Sequence, residues 1–190
     1  MVALGFYVHV VLVIVFLRKS LCFLTEEEIL RRVETNVNSP PVNNTCLTTH
    51  LIARYQVKVV LETSEGEDVE LVFNGENTDK LSWFSKSRLL SSPWTDLPGE
   101  TTNFFSIEGL SHERCRRSFF ISHGYNGCPG DTGWMAVVEH GPDAICEWER
   151  VPSVELPGIL YSNASTYVRW SDESQLGRAN RMVIYIKMCR

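Results

Sequence analysis

The most regular polarity pattern begins at residue 54, where Tyr55, Val57, Val59 and Leu61 alternate with Arg54, Gln56, Lys58 and Glu62. Successive side chains of a strand point to opposite faces, so this period of two predicts a strand with one buried and one solvated face. The turn-forming residues Thr63 to Glu67 follow, and Val69, Leu71 and Phe73 then alternate within Asp68 to Phe73, which predicts a hairpin. Asn74-Gly75 ends the second strand, and a third apolar segment, Leu81 to Phe84, precedes the Ser- and Pro-rich stretch Ser91 to Gly99. Further segments of strand length cover 103–107, 117–122, 133–139, 144–149, 158–161, 167–170 and 181–188. In the last of these, Met182, Ile184, Ile186 and Met188 alternate with Arg181, Val183, Tyr185 and Lys187. Turn signals such as His123-Gly124-Tyr125-Asn126-Gly127 separate them. About eight or nine strands without an intervening long helix predict an all-β domain over residues 50–190, an antiparallel β-sandwich or jelly roll.

The first fifty residues follow other rules. Leu4 to Leu17 is apolar apart from Gly5 and His9, and falls short of the roughly 20 residues that span a bilayer as a helix. It suits the apolar region of a signal peptide, and Ser20-Leu21-Cys22 places small residues where signal peptidase reads, so residues 1–22 are expected to be a cleaved leader. The alternative is a type II membrane anchor, because no Lys or Arg precedes the run while Arg18 and Lys19 follow it. Thr25-Glu26-Glu27-Glu28 ahead of Ile29, Leu30 and Val33 spells a capping box, predicting a short helix to about Glu34. A Pro- and Asn-rich linker then runs to residue 49, so residues 23–49 join leader to domain.

Charge removes one class of partner. A net charge of −5 lacks the basic footprint of a nucleic-acid domain, and Arg114, Arg116 and Arg117 read as a solvated strand edge. Cysteine usage points outside the cytosol. The six cysteines are widely spaced with no CxxC pair, which disfavours zinc and suits disulfides in an exported chain. Cys128 is expected to bridge Cys146, because a strand and turn between them return the chain to the same end of the sheet. Cys46 with Cys189 is a second expected bridge. Cleavage after Cys22 leaves an odd cysteine, free or paired with another molecule. Sequons at Asn43-Asn44-Thr45 and Asn163-Ala164-Ser165 predict N-glycosylation at Asn43 and Asn163.

No catalytic constellation is visible. His50, His112, His123 and His140 are scattered without HExxH or comparable spacing, so no metal site and no cofactor is expected. Ser111-His112 and Ser122-His123 are neighbours in sequence, and neighbours on a strand point to opposite faces. An exported hydrolase would need His112 or His123 within reach of a serine or carboxylate in a cleft. The chain is therefore expected to bind rather than catalyse.

The densest local information lies in Arg116 to Arg150. There a loop with glycines at 124, 127, 130 and 133 is held between an aromatic strand and a Trp-led strand. It is expected to be the recognition surface, with Tyr125 as an aromatic platform, Asn126 and Asp131 as polar contacts, and Trp134 at its end. The competing view makes Trp134 and Trp148 core residues and the loop a long hairpin connection. Asn126 with Asp131 is also a candidate calcium pair, without EF-hand spacing.

The ordered runs SHERCRRSFF, GYNGCPGDTGWM, CEWE, ILYS and RMVIYIK, within residues 83–187, resemble an uncharacterised secreted module of marine invertebrates such as corals and molluscs. The resemblance implies an extracellular, matrix-associated role and assigns no activity to any residue. The expected function is an extracellular recognition module for a carbohydrate or a protein ligand. The alternative is a structural, adhesive component of an extracellular or skeletal matrix.

Overall fold

A computed structural model describes residues 11–17, 20–23, 54–63, 69–139, 143–151 and 157–189. The described chain is all-β, with two antiparallel sheets. The first contains β1 (Val11–Leu17), β2 (Ser20–Phe23), β3 (Arg54–Glu62), β4 (Val69–Asn74) and β5 (Leu89–Ser91). The second contains β6 (Phe104–Ser106), β7 (Leu110–His112), β8 (Cys115–Gly124), β9 (Thr132–Val138), β10 (Gly158–Ser162), β11 (Val168–Arg169) and β12 (Leu176–Ala179). The last strand, β13 (Arg181–Cys189), returns to the first sheet, giving the orders β2-β1-β13-β3-β4-β5 and β12-β10-β9-β8-β6. β11 pairs with β9, and β7 with β8. The helices described are single 3₁₀ turns at Lys86–Arg88, Glu147–Glu149 and Glu173–Gln175. Among the described residues no helix is long and apolar enough to cross a membrane.

The alternating segments keep their period on the core face, but Tyr55 at the start of β3 is exposed, and Val60 and Val183, opposite each other on the other face, are buried as well. β3 and β4 form the expected hairpin, with Val57 opposite Phe73 and Val59 opposite Leu71. The buried faces of β3, β4 and β13 supply Val57, Val59, Leu61, Leu71, Phe73, Met182 and Ile184 to one core. Facing them from the second sheet are Phe119, Ile121, Trp134, Met135, Val137, Ile159, Tyr161 and Ala179. Each such fully buried side chain contributes about 1.5–3 kcal/mol relative to exposure. On the far side of the second sheet, Phe120, Ala136, Val138 and Leu160 are covered by Cys146, Trp148, Val151 and Trp170. That sheet is therefore buried on both faces, which is why β9 reads as a continuous apolar run rather than an alternation.

One apolar segment and one expected strand take other forms. Leu81 to Phe84 is a turn: the Asp79 carboxylate accepts from the N–H groups of Leu81 and Ser82, and the Ser82 hydroxyl accepts from Asp79 N–H. Trp83 and Phe84 still enter the core, so the apolar spelling reported burial and not conformation. Ala144 to Glu149 is a bend leading into a 3₁₀ turn, since Cys146 and Glu149 are drawn to partners on β8 and its loop. The short strands β5, β7 and β12 carry too few residues to show a period. β8 breaks its own alternation at Phe119, whose φ of 43° accompanies a register shift between Ser118 and Ile121. Phe119 thereby faces the core between the sheets while Phe120 faces the other way. Gly109 makes room for this strand: with φ at +57°, a Cβ there would meet the Arg117 carbonyl at 1.9 Å.

The described part of the apolar run expected to be a leader, residues 11–17, forms β1 in the full chain, antiparallel to β13 from Val11 opposite Lys187 to Phe16 opposite Met182. A chain cleaved after Cys22 loses β1 and all of β2 but Phe23, and its first sheet would then end at β13. The expected helix near 25–34, Asn43 and Cys46 lie outside the described residues.

Candidate functional site

β8 leaves the second sheet at Gly124 and the chain loops to β9 at Thr132. Beneath that loop sits Arg117, 1% exposed. Its Nε donates to Glu149 Oε1 at 2.7 Å and its Nη1 to Asp131 Oδ2 at 3.2 Å, both carboxylates being equally buried. The guanidinium lies 4.5 Å from the Trp148 ring centroid, 5.3 Å from Tyr125 and 5.4 Å from Phe120. Burial opposes its charge, yet the hydrogen bond and charge of Glu149 outweigh that and hold its pKa above the ordinary value. The reading of Arg117 as solvated is thus corrected: strand alternation sends Arg116 outward, toward Glu139, and Arg117 inward.

The two acids also fasten backbone. Asp131 Oδ1 accepts from Asn126 N–H at 3.0 Å, and Glu149 Oε2 accepts from Cys146 N–H at 3.2 Å. The Cys115 thiol, fully buried and free, donates to Glu149 Oε1 at 3.5 Å, and burial pushes its pKa up to about 11. Cys128 is bonded to Cys146 as expected, their Cα atoms 5.0 Å apart. One disulfide and one buried ion cluster therefore fix the 125–131 loop against the 146–149 turn.

Above this anchor the surface is concave. A groove of about 300 Å³ is lined by Cys128, Pro129, Glu147, Trp148, Ser171 and Glu173. Cys128, Pro129 and Trp148 supply its apolar lining, and the Glu147 and Glu173 carboxylates form no ion pair among the described residues. On the other side of Ser171 lies a more polar groove of about 540 Å³, lined by Tyr167, Val168, Arg169, Ser171, Asp172 and Gln175.

The expected site residues divide. Tyr125, 42% exposed, and Asn126 lie on the surface of the loop. Asp131 does not: it is committed to Arg117 and to Asn126 N–H, so it is neither a ligand contact nor a free calcium ligand. Trp134 is a core residue whose indole N–H donates to Asp96 at 2.7 Å, while the other Asp96 oxygen accepts from Tyr167 N–H. Among the described residues no cluster of His, Cys, Asp and Glu could cage a metal. His123 stacks on Tyr167 at 4.1 Å, with Thr132 Oγ1 at 3.3 Å and Glu100 at 3.6 Å. The neighbouring Ser122 hydroxyl is turned instead to the carbonyls of Gly124 and Thr132. Asn163 is exposed on the turn after β10, and Cys189 ends β13, while its expected partner Cys46 is outside the described residues.

Sequence reasoning missed Glu147, Ser171 and Glu173. The first was within reach of it: a Cys128–Cys146 bridge places the residue after Cys146 beside the loop. Ser171 and Glu173 carry no local signal, since only the pairing of β11 with β9 brings them there. Comparison with known protein families, characterised proteins and solved structures finds no match to this chain.

Proposed function

We propose that this chain is an extracellular β-sandwich recognition module that acts by binding, with a carbohydrate as the ligand class its groove suits best. The observation that carries the reading is a fixed loop beside a groove whose lining joins apolar residues to two carboxylates with no ion-pair partner among the described residues. Sugar hydroxyls donate to carboxylates, and sugar C–H groups pack on aromatic ring faces such as that of the exposed Tyr125 on the neighbouring loop. A rim held by a disulfide and buried ion pairs loses little freedom when the ligand arrives, so more of the contact energy appears as affinity. Export is supported by the apolar leader, the sequons and a disulfide of a kind that persists in oxidising compartments.

The test is a glycan array, with an extracellular protein panel beside it, run on secreted protein with and without calcium. Glu147→Ala/Glu173→Ala and Tyr125→Ala/Asn126→Ala are expected to weaken the parent's best ligand by about tenfold or more, roughly 1.4 kcal/mol. Their melting temperatures should stay within a few degrees of the parent, roughly what 1 kcal/mol moves a domain of this size. Undiminished binding by both variants would move the site elsewhere. A protein ligand with no glycan bound would replace the carbohydrate assignment.

A further inference from the structure

We propose that Asn163 carries an N-linked glycan whose first sugar lies in the polar groove lined by Tyr167, Arg169, Ser171, Asp172 and Gln175, so that the chain fills this groove itself. The proposal rests on the export reading above and concerns the groove on the other side of Ser171. The pairing of β10 with β12 ends with Ser162 opposite Leu176, and just beyond it Asn163 N–H donates to Gln175 O at 2.9 Å. Asn163, the first residue after β10, and Gln175, the last of the 3₁₀ turn Glu173–Gln175, are thus held side by side by their backbones. Gln175 lines the groove, so a sugar on Asn163 starts at its rim.

The root of that sugar is held still. Ser162 Oγ donates to Thr166 O at 2.6 Å and accepts from Ala164 N–H at 3.2 Å. Thr95 grips the same turn from outside, its N–H and hydroxyl reaching Ser165 O at 2.7 and 3.1 Å. Asn163 and Ser165 are nonetheless both exposed, as an acceptor sequon requires. The lining suits an N-acetylated sugar: Arg169 and Gln175 offer donors to its carbonyl, Ser171 and the Asp172 oxygen not used to cap the Glu173–Gln175 turn offer acceptors to its hydroxyls, and Tyr167, stacked on His123, adds apolar surface. A groove of about 540 Å³ is of the size that small ligands occupy. Tethering makes the encounter intramolecular, with an effective concentration of about millimolar or above, so individually weak contacts suffice.

The attachment uses a lipid-pyrophosphate-linked oligosaccharide as donor. The Asn163 Nδ2–C1 bond forms as the C1–oxygen bond to pyrophosphate breaks, and the amide proton leaves with the lipid pyrophosphate.

The experiment uses the full chain expressed in a eukaryotic secretory cell. Glycosylated asparagines are mapped by peptide mass spectrometry, and release of the Asn163 glycan by an amidase is timed on the native protein. Release from the native parent is expected to be about tenfold slower than from native Arg169→Ala/Gln175→Ala, corresponding to about 1.4 kcal/mol. Both substitutions are at exposed positions outside the core, so the variant keeps the fold. Equal release rates overturn the seat while leaving export intact. An exported chain glycosylated at Asn43 but bare at Asn163 also overturns the proposal alone, whereas an unglycosylated chain retained in the cytosol overturns both.

Discussion

Arg117 is a buried cation facing two buried carboxylates, an arrangement whose desolvation cost is offset only by close geometry and further hydrogen bonds. Both conditions are met here, since each acid also accepts a backbone N–H. Arg117→Met should therefore cost about 3–5 kcal/mol in denaturant unfolding, because it leaves two uncompensated charges buried. Arg117→Lys, which retains the charge without the fork, should recover part of that loss. A loss below about 1 kcal/mol would mean the cluster relaxes to water when opened. Cys115 makes a second prediction, this one in pH. Its thiol pKa is raised from 9.0 to about 11 in the fold by burial, so the folded state binds the proton more tightly than the unfolded state. The resulting stabilisation is complete below about pH 9 and is lost as pH rises toward 11. Melting temperature over that window should fall more steeply for the parent than for Cys115→Ala, and parallel curves would count against it. Nothing in the spelling Arg114-Cys115-Arg116-Arg117 marks which arginine is buried, because the deciding partners lie 14 and 32 residues away.

The 125–131 loop gains its shape from what lies under and beside it more than from its own residues. The disulfide closes a loop with a sequence separation of 18, for which the chain-entropy model gives about 3 kcal/mol of stabilisation. Cys128→Ser/Cys146→Ser should lower stability by about that amount and, by releasing the groove wall, weaken ligand binding as well. Comparing urea midpoints with binding titrations separates the effects: lost stability with intact affinity would show that the Arg117 cluster alone holds the loop. The bridge itself was legible from the spacing of Cys128 and Cys146. The ion cluster below it was not, since Asp131 in a Gly-rich loop spells a turn or ligand contact as readily as a salt-bridge partner.

At the scale of the molecule the two sheets share one core. Phe73 of β4 is fully buried, with ring centroids of Trp83, Phe84 and Phe105 at 5.5, 5.2 and 6.1 Å, so it touches both the β4–β5 connection of its own sheet and β6 of the other. Phe73→Ala should cost about 3–5 kcal/mol by the cavity it leaves. In urea, fluorescence of the five buried tryptophans, Trp83, Trp94, Trp134, Trp148 and Trp170, should change together with far-UV circular dichroism in both parent and variant. Separate transitions would mean that the sheets fold as independent units.

Local spelling was enough for the all-β class, the β3–β4 hairpin and the Cys128–Cys146 bridge. Each of these is written in local period or spacing, and a strand's period of two survives whatever packs on it. Tertiary structure alone decided which polar residues are inside. Asp131 and Arg117 are buried because they meet each other and Glu149, and Trp134 is buried because β9 has both faces covered. It also decided the groove, whose walls come from three segments that touch only after the sheet has formed. A buried charge depends on partners distant in sequence, and concavity depends on the relative placement of whole elements, so neither leaves a periodic trace along the chain.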